Sequence, residues 1–316
     1  MSRIVIALGG NALQANPKDT SAEAQLFTCK ETAKPIVDLI EEGHEVIVAH
    51  GNGPQVGQIV ATYEAANTID DGKPVMPFPE CGAMSEGYIG YHLQQAIREE
   101  MRARGIQRDV ASIITQVVVD PNDPGFKNPT KPVGSFFSQE QAMKLQEEKG
   151  YVMKEDAGRG YRRVVASPAP IAVVEEKIIK TMVDAGHVVI TVGGGGVPVI
   201  EKEDGTLEGV AAVIDKDLAS EKLAELLDAD ELVILTAVEQ IAINFNKPNQ
   251  KNLASITLEE AHKYIEEGHF APGSMLPKVK AAMQFAKSKM GRKSIVTSLN
   301  KAKDALQGKT GTVIIQ

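Results

Sequence analysis

The sequence predicts an α/β protein built on a mainly parallel sheet, with its ligand at the carboxyl ends of the strands. Three observations carry this. Residues 4–8 (IVIAL), 45–49 (EVIVA) and 188–192 (VVITV) are short, largely β-branched apolar runs, as strands buried on both faces require. Each breaks into glycines: Gly9-Gly10-Asn11, Gly51-Asn52-Gly53 and Gly193-Gly194-Gly195-Gly196. Segments of helical periodicity lie between them, so the strands pair in parallel and the three glycine loops converge on one crevice.

Along the chain, the first glycine break lacks both the G-x-G-x-x-G spacing of a dinucleotide fold and the Lys of a Walker A loop. Residues 31–42 place Ala33, Ile36, Val37, Leu39 and Ile40 at helical spacing, and Gly43 closes that helix. His50 precedes the second glycine loop. A lone His in such a place is more often structural than catalytic, and it is assigned no chemistry. Residues 56–66 and 81–104 read as helices, the second opening with small residues that admit another backbone, within the sheet layer or across a subunit interface. Cys81 reads as a buried small apolar residue. Residues 112–119 read as one strand and 171–185 as one helix.

The stretch around which the chain is organised is 188–220. After the glycine quadruplet, an apolar run at 209–214 meets Asp215-Lys216-Asp217, just before a helix starting near Leu218. A cation at a helix start opposes the macrodipole unless an anion binds there. Glycine loops bring backbone N–H groups close to an anion. A solvated turn and a loose glycine loop explain either piece alone; together they favour a phosphate site. Residues 232–235 form a strand ending in Thr236-Ala237-Val238. Met275 and Lys278 then stand at the start of a helix over 279–288, which makes Lys278 a further phosphate ligand.

Residues 120–166 change character. Asp, Asn, Pro and Gly cluster there, and Phe136, Phe137, Tyr151 and Tyr161 supply aromatics in a chain that has only 4% of them. This segment reads as an inserted, protruding subdomain and a lid over the crevice. Lys131, between Pro129 and Pro132, is a stiffly presented cation, although most loop lysines are merely solvated.

At 316 residues the chain suits one large domain or two modest ones, and a net charge of −8 argues against a nucleic-acid partner. Two cysteines make no disulfide framework, Met1-Ser2-Arg3 runs straight into a strand without a leader, and no apolar run has membrane-spanning length. A cytoplasmic protein is expected.

The blocks IALGGNAL, HGNGPQVG, CGAMSEGYIGYHLQ, DPNDPGFKNPTKPVG, EDAGRGYRRVVASP, GVAAVIDKDLAS and GHFAPGSMLPKVKAA together resemble the carbamate kinases of the amino acid kinase superfamily, in that family's order and over essentially the whole chain. The resemblance implies an open αβα sandwich over 1–316, with a roughly eight-stranded, mainly parallel sheet, and a homodimer. The carbamate and phosphoryl side falls in 1–230 and the nucleotide side in 231–316. It implies ATP or ADP as substrate, Mg²⁺ carried by the nucleotide rather than held by a protein metal site, and carbamate or carbamoyl phosphate as the second substrate. Gly9, Gly10, Asn11, Gly51, Asn52 and Gly53 match the family's backbone donors around the phosphoryl group, with Gly193 and Gly194 beside them. Lys216 and Lys278 match its phosphate-binding lysines and Asp217 the aspartate that orients them. Thr236, Ala237, Val238 and Met275 fall on the nucleotide side. The superfamily's Lys before the first Gly-Gly is Ala7 here, and Lys131 is the family's replacement. Ala237 departs from relatives that carry Asp, which leaves the nucleotide contacts there open. The implied role is ATP formation from carbamoyl phosphate in the catabolism of arginine or related compounds. The rival readings are another carboxylate-phosphorylating kinase and a non-catalytic sensor of carbamoyl phosphate or nucleotide; the full lysine set disfavours the sensor.

Overall fold

The computed structural model describes every residue of the 316 except 17, 18, 70, 71 and 157, and all their side chains except those of residues 11, 68 and 135. The strands of the first half are β1 Arg3–Leu8, β2 Glu45–His50, β3 Val110–Ser112, β4 Gln116–Val119, β5 Lys131–Phe137, β6 Met153–Glu155 and β7 Tyr161–Val165. Those of the second are β8 Pro170–Val173, β9 Val188–Ile190, β10 Val197–Glu201, β11 Leu207–Gly209, β12 Glu231–Thr236, β13 Ile241–Ile243, β14 Lys251–Leu253, β15 Ser255–Thr257, β16 Lys293–Ser298 and β17 Thr312–Ile315. The helices are α1 Ala22–Glu41, α2 Gly53–Ile69, α3 Phe78–Ala103, α4 Pro124–Lys127, α5 Gln139–Lys149, α6 Glu176–Asp184, α7 Lys216–Leu226, α8 Leu258–Glu266, α9 Met275–Ser288 and α10 Ala302–Leu306.

Eight strands form the central sheet in the order β15-β17-β16-β12-β1-β2-β9-β3. Neighbours are parallel except β16 and β17. Side chains alternate across a strand, and here both sides are buried. Ile4, Ile6 and Leu8 join Val46 and Val48 beneath α1 and α3, whereas Val5 and Ala7 join Ile47, Ala49 and Ile234 beneath α7 and α9. Two apolar layers on one sheet make the open αβα sandwich expected from the sequence.

Two of the sequence readings need correction. Residues 112–119 are not one strand: β3 ends the central sheet, and β4 enters a separate four-stranded sheet, β11-β10-β4-β8. The bend falls at Thr115, whose N–H donates to Glu86 Oε2 and whose hydroxyl donates to the Ile113 carbonyl, so side chains satisfy the backbone the sheets abandon. Residues 171–185 are not one helix either. The first of them belong to β8, which pairs with β4, and α6 starts only at Glu176, after Glu175 has accepted hydrogen bonds from Gln116. The polar stretch 241–252 holds the hairpin β13–β14, turned by Asn244 and Asn246 at positive φ.

The inserted segment builds its own antiparallel sheet, β5-β7-β6, with α5 opened by a capping box between Ser138 and Gln141. Val133 and Val165 of this sheet pack with Val56, Val60, Phe78 and Cys81 of α2 and α3. Cys81 is fully buried there, as the small apolar residue expected.

Candidate functional site

The glycine loops stand side by side because their strands are neighbours in register. Leu8 lies opposite His50, Ala7 opposite Ile234, and Val48 opposite Ile190. Gly9, Gly51, the turn at 193–196 and Thr236 therefore emerge along one edge of the sheet. The turn at 193–196 demands glycine. Gly194, Gly195 and Gly196 have φ of +67, +99 and +81°, and Val192 before them has φ +44°, a costly value for a β-branched residue. A Cβ on Gly193 would stand 2.5 Å from His50 Nε2, and one on Gly194 would overlap the Asn52 side-chain amide.

Side chains from α3 and the β3–β4 bend hold this turn in place. Thr115 Oγ1 accepts from Val192 N at 3.0 Å and lies 2.7 Å from Thr191 Oγ1. Glu86 holds Thr115, and Ser85 Oγ accepts from Asn52 Nδ2 at 2.8 Å.

The lysines converge on one helix start. Asp215 caps α7, its Oδ1 accepting from Asp217 N at 3.0 Å. Asp217 binds Lys216 Nζ through Oδ1 at 2.7 Å and Lys278 Nζ, arriving from the first turn of α9, through Oδ2 at 2.8 Å. Lys131 Nζ, brought by the first residue of β5, lies 3.0 Å from Asp215 Oδ2. Three ammonium groups against two carboxylates leave one net positive charge at a helix N-terminus, where an anion would be held by charge and dipole together. α7 begins two residues earlier than the apolar pattern suggests because the Asp215 cap, not the first apolar residue, sets its start.

Burial would raise the pKa of Asp217, which is 2% exposed, but Lys216 and Lys278 outweigh it and hold the carboxyl down at about 2. Burial pushes the Lys216 ammonium below its usual value against the pull of Asp217, with repulsion from Lys278 added. Burial also lowers His50 to about 4, opposed by its hydrogen bond to the Gly51 carbonyl and aided by the Lys216 charge. Glu86 is driven well above the carboxylate range by burial, against the Thr115 N–H. His50, held near 4, is therefore neutral near pH 7 beneath the glycine turn.

Three cavities run along this edge. The first, about 410 Å³, is walled by Gly10, Gly51, Asn52, Gly53 and Gly194, by Gln55, and by Lys131, Asp215, Lys216, Asp217 and Lys278. The second, about 290 Å³, shares Gly10, Lys216 and Lys278 and adds Gly9, Thr236 and Ala237. The third, about 510 Å³, lies among Thr236, Ala237, Val238, Phe245, His269 and Met275. Ser274 borders all three, so they form one trough. The sequence-predicted residues are thus brought together, with two qualifications: Gly193 is buried against His50 rather than placed on the wall of the 410 Å³ cavity, and the side chain of Asn11 lies outside those described. Asp215, Gln55, Ser85, Glu86 and Thr115 were not singled out as site residues from the sequence. Asp215 had a signal, its place beside Lys216; the others sit in helices and a bend whose neighbours only the fold reveals.

The chain belongs to the amino acid kinase family, whose model matches residues 2–298. It is 63% identical to a carbamate kinase of Clostridium perfringens, over 99% of this chain and 100% of that protein. It is 57% identical to the carbamate kinase-like protein YqeA of Escherichia coli, over 99% of each. Carbamate kinase from Giardia lamblia, solved bound to AMP-PNP, matches with a TM-score of 0.93 and 43% identity, covering 99% of this chain and 98% of that one.

Proposed function

We propose that this protein transfers a phosphoryl group reversibly between ATP and carbamate, giving ADP and carbamoyl phosphate, and that it works toward ATP. The observation that carries the reading is the lysine cluster: Lys216 and Lys278 fixed by Asp217, with Lys131 delivered from the inserted subdomain to Asp215. On this reading the transferred phosphoryl group occupies the 410 Å³ cavity. Its developing charge meets Lys216, Lys278 and the backbone N–H groups of the glycine loops. The nucleotide extends through the 290 Å³ cavity, and its base enters the 510 Å³ cavity, lined wholly by residues of the 231–316 half. The carbamoyl group lies on the Lys131 side, among residues of the 1–230 half.

Carbamate is already an anionic oxygen nucleophile, so the reaction needs no base to remove a proton. The site suits that chemistry. Among the described residues lining the cavity the carboxylates are Asp215 and Asp217, both engaged with lysines, and His50 is too weak a base at about 4. Catalysis then rests on positioning and preorganised charge. Among the described residues no cluster of three His, Cys, Asp or Glu side chains is placed to hold a metal ion, and Mg²⁺ is read as part of the nucleotide substrate.

A homodimer in the cytoplasm fits the same reading. Phe27 and Tyr91 stand 67 and 60% exposed on α1 and α3, helices that pack on each other, and no helix among the described residues is long and apolar enough to cross a membrane.

Incubating the protein with MgADP and, separately, carbamoyl phosphate, acetyl phosphate and amino-acyl phosphates tests the proposal. ATP should form fastest from carbamoyl phosphate. Preference for an amino-acyl phosphate, or ADP binding with no ATP from any donor, would overturn it.

A further inference from the structure

Recognition of carbamate poses a problem that the lysines do not solve. Its carboxylate and phosphoryl oxygens need donors, and Lys131, Lys216 and Lys278 are donors only. Its amino group presents N–H donors, and these separate it from acetate, which shares its size and charge but carries a methyl there. A site that distinguishes them needs an acceptor facing the carbamoyl end. Asp215 and Asp217 are bound to lysines. Asn52 is turned by its bond to Ser85, and Ser274, bordering all three cavities, lies toward the nucleotide.

Among the described residues, Gln55 is the remaining polar side chain on the cavity wall. It stands in the first turn of α2, is 3% exposed, and its Oε1 is buried without a hydrogen-bond partner. A buried amide oxygen left unpaired costs about 1–3 kcal/mol, so such a group in a ligand cavity calls for an explanation. Its position matches the need. α2 packs against β5, which carries Lys131, Val56 and Val60 meeting Val133, and a Cβ on Gly57 would stand 3.7 Å from Gly134 N, so Gln55 lies on the lid side of the cavity, away from the nucleotide end. A primary amide presents an acceptor and a donor side by side, the complement of the H₂N–C–O edge of a carbamoyl group. Its terminal torsion is soft enough to turn the oxygen toward a ligand.

We propose that Gln55 determines specificity by accepting a hydrogen bond from the carbamoyl amino group, and so selects carbamate over carboxylates of the same shape. This rests on the carbamate reading above. Sites built to bond a substrate N–H or O–H reject analogues lacking it far more strongly than apolar pockets reject a methylene.

The test compares carbamoyl phosphate with acetyl phosphate, which replaces the amino group by a methyl, as phosphoryl donors to MgADP in wild type and Gln55→Met. Where acetyl phosphate is not turned over, its inhibition constant against carbamoyl phosphate serves instead. Wild type should prefer carbamoyl phosphate. In Gln55→Met that preference should shrink about 10²-fold, mainly through the carbamoyl phosphate values, with ADP affinity by calorimetry held. Equal losses for both donors would assign Gln55 a structural role and overturn the proposal, as would an unchanged preference. Should Gln55→Met fail to fold, Gln55→Leu decides. It too removes the acceptor, so the preference should shrink in the same way; a preference kept at the wild-type ratio would overturn the proposal. A wild type that makes no ATP from carbamoyl phosphate would defeat the carbamate reading itself, a result separate from equal losses in an active enzyme.

Discussion

At Asp217 one buried carboxylate organises two ammonium groups, and its low pKa records how strongly they depend on each other. Removing it would leave Lys216 and Lys278 facing one another unpaired, a loss on the order of 3–5 kcal/mol for buried ions. His50 works the other way, because it must remain uncharged beneath the glycine turn. An unfolded His takes its proton near 6.5 and the folded one only near 4. The unfolded state therefore binds more protons in that window, and stability that is complete above 6.5 is lost as pH falls toward 4. At pH 5 the loss amounts to about 2 kcal/mol. His50→Gln should remove it: urea unfolding at pH 7 and pH 5 should show a smaller acid loss in the variant than in wild type. Turnover of carbamoyl phosphate at pH 7 should change little, since no proton passes through His50. A folded His50→Gln that binds ADP yet is inactive would contradict the absence of a base.

Among the elements, the turn at 193–196 carries the sharpest demand on sequence. Gly194→Ala would force an L-residue into φ +67°, at about 1–2 kcal/mol, and push its Cβ into the Asn52 amide. Asn52 would then lose its hold on Ser85. Carbamoyl phosphate turnover should fall about 10²-fold, as when one preorganised donor is lost, with ADP affinity kept. Gly205→Ala is the control, at φ +80° with nothing within 4 Å of its Cβ; it should lower Tm and leave kinetics alone. Equal kinetics in the two variants would remove the turn from the phosphoryl site. This turn also shows what the sequence made legible. Strand, glycines and the Asp-Lys-Asp run before a helix are local patterns and were readable, as were the parallel sheet and the convergence of its loops. The break at Thr115 was not, because it depends on Glu86, 29 residues away, accepting a backbone N–H. Nor was β8, whose short apolar run reads equally as helix until β4 is beside it. Gln55 lay inside a conspicuous block, yet only burial without a partner sets it apart.

For the whole molecule the decisive feature is how the inserted subdomain meets the core. Its three-stranded sheet is anchored on α2 and α3 through Val133 and Val165, and among the described residues Lys131 on Asp215 is its charged link to the lysine cluster. On the reading proposed above, Lys131 supplies through this contact the cation that Ala7 of the first strand cannot. Lys131 borders the 410 Å³ cavity, whereas the 290 and 510 Å³ cavities are walled by other residues. Lys131→Ala should therefore leave ADP affinity nearly intact by calorimetry while carbamoyl phosphate turnover falls by 10²-fold or more, about the scale for one lost charge donor in a water-excluding site. A surface lysine would behave otherwise, since most exposed substitutions change stability by less than about 0.5 kcal/mol and leave function alone. Asp215→Asn separates position from charge: Asn still caps α7, but Lys131 loses its ionic partner. Its KM for carbamoyl phosphate should rise while ADP binding holds, with added salt closing the gap to wild type as screening weakens the pair in the parent. Unchanged kinetics in Lys131→Ala would return that lysine to solvent, and a matching loss of ADP affinity would make the subdomain a lid for the nucleotide rather than for the carbamoyl group.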